Sequence, residues 1–280
     1  VSRWSRRKDE EPAPVITLVT DYGTSDIYAG VLHGVIARIC PEAMVIDLNH
    51  RVPAGDLLAG ALALADALPF TPVGVHVAVV DPGVGSNRRA LALRCWDGRV
   101  LVGPDNGLLG PAAALCGGVV EAVEITHSPW RLDPLSATFH GRDVFAPVAA
   151  SLAAGKPFVA AGDPLEIREL IDLALPAAEI YDRELVVTVT SIDTYGNLLL
   201  LARETDAQAA GFRPGAPVHV ASAGGRRKLY ARYGHTFSDV GAGRLVLYAA
   251  SSGRLALAVN GASAADTLWV GPGDSLVLTV

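Results

Sequence analysis

The spacing of apolar positions changes character along the chain. Val15 to Val19 is a short run of β-formers, ended by Thr20-Asp21-Tyr22-Gly23. Ile27, Val31, Val35 and Ile39 then recur at helical spacing, which predicts a helix over Asp26 to Ile39 with Asp26 as a candidate cap. Val45 to Leu48 reads as a second strand. The alanine- and leucine-rich stretch Gly55 to Leu68, with Asp56 near its start, reads as a second helix. Val73 to Val80 is a third strand, and its apolar, β-branched end belongs inside a sheet covered on both faces. Ala90 to Cys95 and Val100 to Val102 predict a hairpin around Asp97-Gly98. Helices over Leu108 to Leu115 and Val144 to Ala154 follow, with a strand at Val119 to Ile125 between them. Alternating strands and helices mean a mainly parallel sheet flanked by helices, an α/β domain.

From Leu185 the strands become short and closely spaced. They fall at Leu185 to Thr190, Asn197 to Leu201, Pro217 to Val220, Leu229 to Tyr233, Arg244 to Tyr248, Arg254 to Val259 and Asp274 to Leu278. Glycine-bearing turns separate them, and one helical stretch, Arg203 to Ala210, intrudes. This pattern predicts a small all-β domain, an antiparallel barrel or sandwich. The expected organisation is a frayed charged tail over 1–14, an α/β domain over 15–175, a linker over 176–184 and a β-barrel domain over 185–280.

Composition narrows the function classes. The chain has 280 residues, half of them hydrophobic, and a formal net charge of −6, which argues against a nucleic-acid partner. Cys40, Cys95 and Cys116 are odd in number and far apart, so neither a zinc knuckle nor a disulfide framework is expected. Reduced core cysteines fit a cytoplasmic protein. No uninterrupted apolar run has membrane-spanning length, and the charged tail lacks the apolar core of a signal peptide. Gly-x-Ser-x-Gly, Walker A and HExxH motifs are absent, the seven histidines are scattered, and no metal site is expected.

Polar residues gather where elements end. Asp81-Pro82-Gly83-Val84-Gly85-Ser86 breaks the third strand into a tight turn, with Arg88 and Arg89 just beyond. Thr20 to Gly23 and Thr138-Phe139-His140-Gly141-Arg142-Asp143 are further clusters. The carboxyl ends of parallel strands share one edge, so these clusters can converge there. The second domain adds Asp193-Thr194-Tyr195-Gly196-Asn197 and Ser251-Ser252-Gly253. Each cluster also has a purely structural reading: Asp21 as a cap, Asp193 and Asn197 as turn formers, Tyr195 as core, His140 as a structural histidine.

Taken together, the turn from Asp81 to Arg88, the segment Thr138 to Asp143, and the Thr20 and Asp193 clusters resemble the S-adenosyl-L-methionine hydroxide adenosyltransferases. These are relatives of the chlorinating and fluorinating enzymes that act on the same substrate. The resemblance runs from about Val15 to the C-terminus. It implies hydrolysis of S-adenosyl-L-methionine to adenosine and L-methionine. It also implies a homotrimer whose active sites lie between the N-terminal domain of one subunit and the C-terminal domain of the next. A catalytic triad maps onto Asp81, Arg88 and His140, and a ribose-binding acid onto Asp21. Contacts to adenine and methionine map onto Asp193, Asn197 and Ser251, with Phe139 and Tyr195 as further substrate-binding residues. No cofactor and no metal are implied.

The chain departs from the halogenating relatives at several positions. Asp81 and Val84 stand where those relatives have tyrosine and threonine. Gly141 stands where the fluorinating ones have a fluoride-holding serine, and Ser252 where they have arginine. Two other readings remain at this level: a halide-using adenosyltransferase, and a module that binds S-adenosyl-L-methionine or adenosine without turnover.

Overall fold

The computed structural model describes residues 13–222 and 228–280. The tail expected over 1–14 therefore lies, apart from Ala13 and Pro14, outside the described residues. The chain forms two compact units that divide between Ala174 and Leu175.

In the first unit, β1 (Val15–Thr20) leads to α1 (Tyr28–Ile39), β2 (Met44–Asn49), α2 (Leu57–Ala67) and β3 (Val75–Val79). Then come β4 (Ala90–Cys95), β5 (Val100–Pro104), α3 (Gly110–Leu115), β6 (Val119–Glu124), α4 (Ala146–Ala153) and the two-residue β7 (Asp163–Pro164). The sheet runs in the order β2-β1-β3-β5-β4-β6-β7. Its first four strands are parallel, while β4, β6 and β7 join by antiparallel pairing.

The period-two pattern explains the layers. Ile16, Leu18, Val77 and Val79 point into one core with α1 and α4. Val19, Ala78 and Val80 point into the other, with α2 and α3. Asp56 caps α2, its carboxylate accepting the Ala59 N–H at 2.9 Å. Asp26 does not cap α1, contrary to the sequence expectation. That helix starts at Tyr28, and the residue before it, Ile27, is already helical and offers no side-chain acceptor.

The second unit opens with β8 (Glu179–Tyr181), inside the segment expected to be a linker, where it pairs with the first half of β9 (Glu184–Ile192). β10 (Leu198–Arg203), α5 (Glu204–Ala209), β11 (Pro217–Ser222), β12 (Lys228–Tyr233), β13 (Leu245–Ala249), β14 (Arg254–Val259), α6 (Ala264–Leu268) and β15 (Ser275–Thr279) follow. β9 is long enough to pair with β15 along its first half and β10 along its second. This closes a seven-stranded barrel, β9-β10-β14-β13-β12-β11-β15. Inward residues such as Leu185, Leu200, Phe212, Val220, Leu257 and Leu278 fill it.

Two details differ from the sequence expectation. β12 and β13 are parallel, because the connection over 234–244 carries the chain back before β13 begins. The short helix α6 also went unread. It is little more than a turn, started by Ser263, whose hydroxyl accepts the Asp266 N–H.

Gly60 shows how tightly α2 sits on the sheet. A Cβ there would stand 2.7 Å from Val80 Cγ2 and 3.0 Å from Leu108 Cδ1. Alanine is the better helix former by about 1 kcal/mol, but overpacking a core costs about 1–3 kcal/mol. Gly60→Ala is therefore expected to lose up to about 2 kcal/mol, read as a lowered urea midpoint at unchanged slope.

Candidate active site

The order β2-β1-β3 means that the chain leaves β1 toward one side of the sheet and returns to its other side. The strand order reverses between β1 and β3, the switch point where open α/β sheets leave a crevice at the carboxyl edge. Thr20 and Val79 are direct partners across these two strands. Asp21 and Asp81 lie just beyond them and so emerge side by side at that crevice.

Arg88 returns from the glycine turn to grip Asp81. Its Nε donates to Asp81 Oδ1 at 2.8 Å and its Nη2 donates to Oδ2, a forked pair that matches the two oxygens. Nη2 is also 3.1 Å from His140 Nδ1. Arginine can only donate, so Nδ1 accepts and the neutral imidazole carries its proton on Nε2. The Asp81 and Arg88 side chains are only 6% and 10% exposed. The Phe145 ring lies under the guanidinium, 5.2 Å from its centroid. Burial, and then the neighbouring Arg88 charge, hold the His140 pKa below the ordinary imidazole value, although Asp81 and Asp143 oppose the shift. The neighbouring Arg89 turns elsewhere, to Asp105 at 2.7 Å and to the Glu169 backbone carbonyl, so the two arginines divide into one at the site and one that ties down a loop.

His140 stands at the head of a wide π-helical turn, Gly141–Phe145, that runs into α4. Buried Asp143 in that turn accepts the Ser136 N–H at 2.8 Å and so fixes the loop before His140. Gly85 links the loop that carries Arg88 to the loop before His140. It has φ +78°, and a Cβ there would lie 2.4 Å from the Ala137 carbonyl oxygen, so only glycine lets the strands of loop approach.

Asp21 is half-buried, and its Oδ2 accepts the Gly55 N–H at 2.9 Å. The carboxylate thus clips the loop before α2 while keeping acceptor capacity for a ligand. Phe139 meets Tyr22 and Tyr28 edge-on, with ring centroids 5.6 and 5.1 Å away. The sequence reading singled out Phe139 but missed the two tyrosines. Burial, then the charges of Asp21 and Asp81, push the Tyr22 phenol well above its ordinary pKa. Tyr22 also fills the space beside Gly141, where a Cβ would lie 2.2 Å from its hydroxyl oxygen.

In the second unit, Asp193, Tyr195 and Asn197 line a cavity of about 620 Å³ with Phe237, Tyr248 and Asn260. This is the size range of small-molecule pockets. Asp193 is occupied within its own loop: Oδ1 accepts the backbone N–H groups of Tyr195 and Asn197, and Oδ2 accepts from Asn197 Nδ2 at 2.7 Å. This is the turn chemistry that the sequence suggested, and Oδ2 keeps acceptor capacity toward the cavity. The loop it braces leaves Tyr195 81% exposed and Asn197 buried at the cavity wall. Ser251 is exposed in the turn between β13 and β14 and does not line this cavity.

The structure also gathers His33, Asp47 and His50, with one potential ligand atom from each within 4.8 Å of the others. Scattered histidines had indicated no such cluster. The near signal was the Asp47–His50 spacing at the end of β2. His33 comes from α1, which folding brings over β2.

Comparison with known proteins agrees with this architecture. The family model "SAM hydroxide adenosyltransferase N-terminal domain" matches residues 16–162, and the corresponding C-terminal domain matches residues 187–277. A protein of Salinispora tropica named (R)-S-adenosyl-L-methionine hydrolase is 46% identical over 96% of this chain and 98% of its own length. One of the same name from Thermus thermophilus is 38% identical over 92% of this chain and 96% of its own. A fluorinase of Nocardia brasiliensis is more distant, at 28% over 90% of this chain and 92% of its own. The crystal structure of an uncharacterized conserved protein from Thermotoga maritima superposes with a TM-score of 0.88 at 33% identity, covering 95% of this chain and all of that one. With both units matched and full-length relatives well above 30% identity, the chain belongs to the SAM hydroxide adenosyltransferase family.

Proposed function

We propose that the chain hydrolyses S-adenosyl-L-methionine to adenosine and L-methionine, by attack of water on C5′ of the ribose. The oxygen–C5′ bond forms, the C5′–sulfur bond breaks with its electron pair left on sulfur, and one proton is released. The sulfonium becomes a neutral thioether, so the leaving group needs no acid. The observation that carries this reading, beside the names of the relatives, is the Arg88 guanidinium held between Asp81 and His140.

Water is a poor nucleophile, and this corner supplies what it lacks. A permanently charged guanidinium stabilises hydroxide character as it develops. The Asp81 carboxylate shares the same Nη2, so a water bonded there has a proton acceptor beside it, while neutral His140 accepts from Arg88 through Nδ1 and keeps the guanidinium aimed at the water. Holding that water in line behind C5′ can contribute about 7–11 kcal/mol. Asp21 takes the ribose diol, and the Tyr22, Tyr28 and Phe139 rings close around it. The reaction requires no cofactor and no metal.

The halide-using alternative fits less well. The Asp81 carboxylate offsets the charge of Arg88 that would draw a halide, and the serine that the fluorinating relatives carry at position 141 would collide with the Tyr22 hydroxyl. Incubation of the full chain with each sulfonium epimer, with and without chloride, separates the readings. Adenosine and methionine are expected, with kcat unchanged by EDTA. 5′-Chloroadenosine would point to halide transfer, and binding without product to a sensor.

The assembly belongs to the same proposal. We take the barrel unit of a neighbouring subunit, in a homotrimer, to supply Asn197, Tyr195 and Ser251 to the adenine and methionine ends. What supports it is that the ligand-directed residues divide between two separately folded units. Mixing Arg88→Ala subunits with Asn197→Ala subunits under exchange is expected to recover part of the activity. Verified exchange without recovery would count against shared sites.

Arg88→Ala is expected to lower kcat by about 10²–10³ while adenosine still binds. Because it also strands a buried carboxylate, Asp81→Asn/Arg88→Ala is measured beside it to separate folding from chemistry. Asp21→Asn keeps an acceptor for Gly55 but loses charge toward the ribose, so KM should rise with kcat little changed. Wild-type kcat in Arg88→Ala would make the residue a structural charge.

The pH profile follows from His140. Its lowered pKa favours the neutral form, so the imidazole stays unprotonated to more acid pH than a free one. The acid limb of kcat is therefore expected below the ordinary histidine value of about 6.5, and it should disappear in His140→Gln. A limb above that value would remove the neutral histidine from the mechanism.

A further inference from the structure

We infer that His33, Asp47 and His50 form a binding site for one borderline divalent cation of the Zn²⁺ class, beside the loop that carries Asp21. This does not rest on the hydrolase reading. Asp47 Oδ1 lies 2.8 Å from His33 Nε2 and 2.9 Å from His50 Nε2. Ligands about 2.1 Å from a common ion stand roughly 3.0–3.4 Å apart, so shifts of about half an ångström admit the metal. Two imidazoles and one carboxylate select Zn²⁺, Co²⁺ or Ni²⁺ over Mg²⁺ or Ca²⁺, which prefer oxygen alone.

His50 supplies the second, independent observation. Its side chain is 6% exposed, and among the described residues its buried Nε2 meets only Asp47 Oδ1, at 2.9 Å and poorly aligned for a hydrogen bond. A buried ring nitrogen so weakly satisfied by a carboxylate is well served by a cation that both can ligate. The other ring nitrogen, Nδ1, is 2.8 Å from Thr20 Oγ1. A hydroxyl that accepts from Nδ1–H leaves the Nε2 lone pair free for a metal, the usual orienting arrangement of ligating histidines. His33 and Asp47 are 37% and 45% exposed, so an ion can enter from solvent and keep water in its remaining positions.

The site is joined to the candidate active site by short links. Thr20 Oγ1 accepts the Tyr22 N–H at 3.2 Å, and the His50 carbonyl accepts the Gly23 N–H at 2.7 Å. A cation on His50 would therefore hold both sides of the Thr20–Gly23 turn, from which Asp21 projects.

The test uses the full chain, stripped with EDTA, dialysed and titrated with Co²⁺. One equivalent is expected to bind with the weak visible absorption of nitrogen and oxygen ligands, and Zn²⁺ should displace it. His33→Gln and Asp47→Asn, at exposed positions, are each expected to weaken binding by about tenfold or more, with the circular dichroism unchanged. Absence of Co²⁺ binding by the wild type would overturn the site, as would equal affinity in both variants. Intense thiolate-to-cobalt charge transfer would also overturn it, assigning the ion to Cys95 and Cys116.

Discussion

One guanidinium group organises the first unit. Arg88 holds Asp81 through two donors and touches His140 through one of them, so three side chains from two distant loops share a single planar fork. The pair is nearly dry, and its geometry is what makes it tolerable. A charge buried without its partner costs about 3–5 kcal/mol, whereas a forked pair satisfies both members. Folding depends on this contact, because Asp81 and Arg88 can both stay buried only while each satisfies the other, and the proposed chemistry relies on the same pair.

The scaffold makes this placement cheap. Parallel strands deliver their carboxyl ends to one edge, and the reversal of order between β1 and β3 leaves a crevice there without any special loop. Asp21 and Asp81 are brought side by side by strand register alone. Only His140 must come from afar, and it arrives on a turn whose extra width, within Gly141–Phe145, re-aims the start of α4.

Much of this was legible in the chain. The apolar run ending at Val80, interrupted only by His76, required an interior strand, and a strand followed by Asp-Pro-Gly fixed where its acid would emerge. The barrel was readable from short strands and glycine turns, yet its parallel pair was not. Pairing direction depends on where a connection travels, and no local pattern around Tyr233 or Leu245 encodes that. The missed strand β8 lay in a stretch of ordinary loop composition, and it exists because β9 offers a free edge beside Val186. Tyr22 and Tyr28 were not singled out because one aromatic in a turn and one at a helix start have no shared spacing to betray them; they become a cluster only when Phe139 folds against them. Asp193 is the opposite case, since its turn chemistry could be seen in the sequence and is what braces the loop beside the cavity.

The contact between Gly85 and Ala137 has a consequence for how this site can vary. Because backbone meets backbone there, the two loops behave as meshed parts rather than independent decorations. Lengthening either one by a residue would slide the glycine off its seat and carry Arg88 or His140 out of reach of the other. Homologous chains can diversify the outer rim of this crevice by insertion, but these two segments can change length only together.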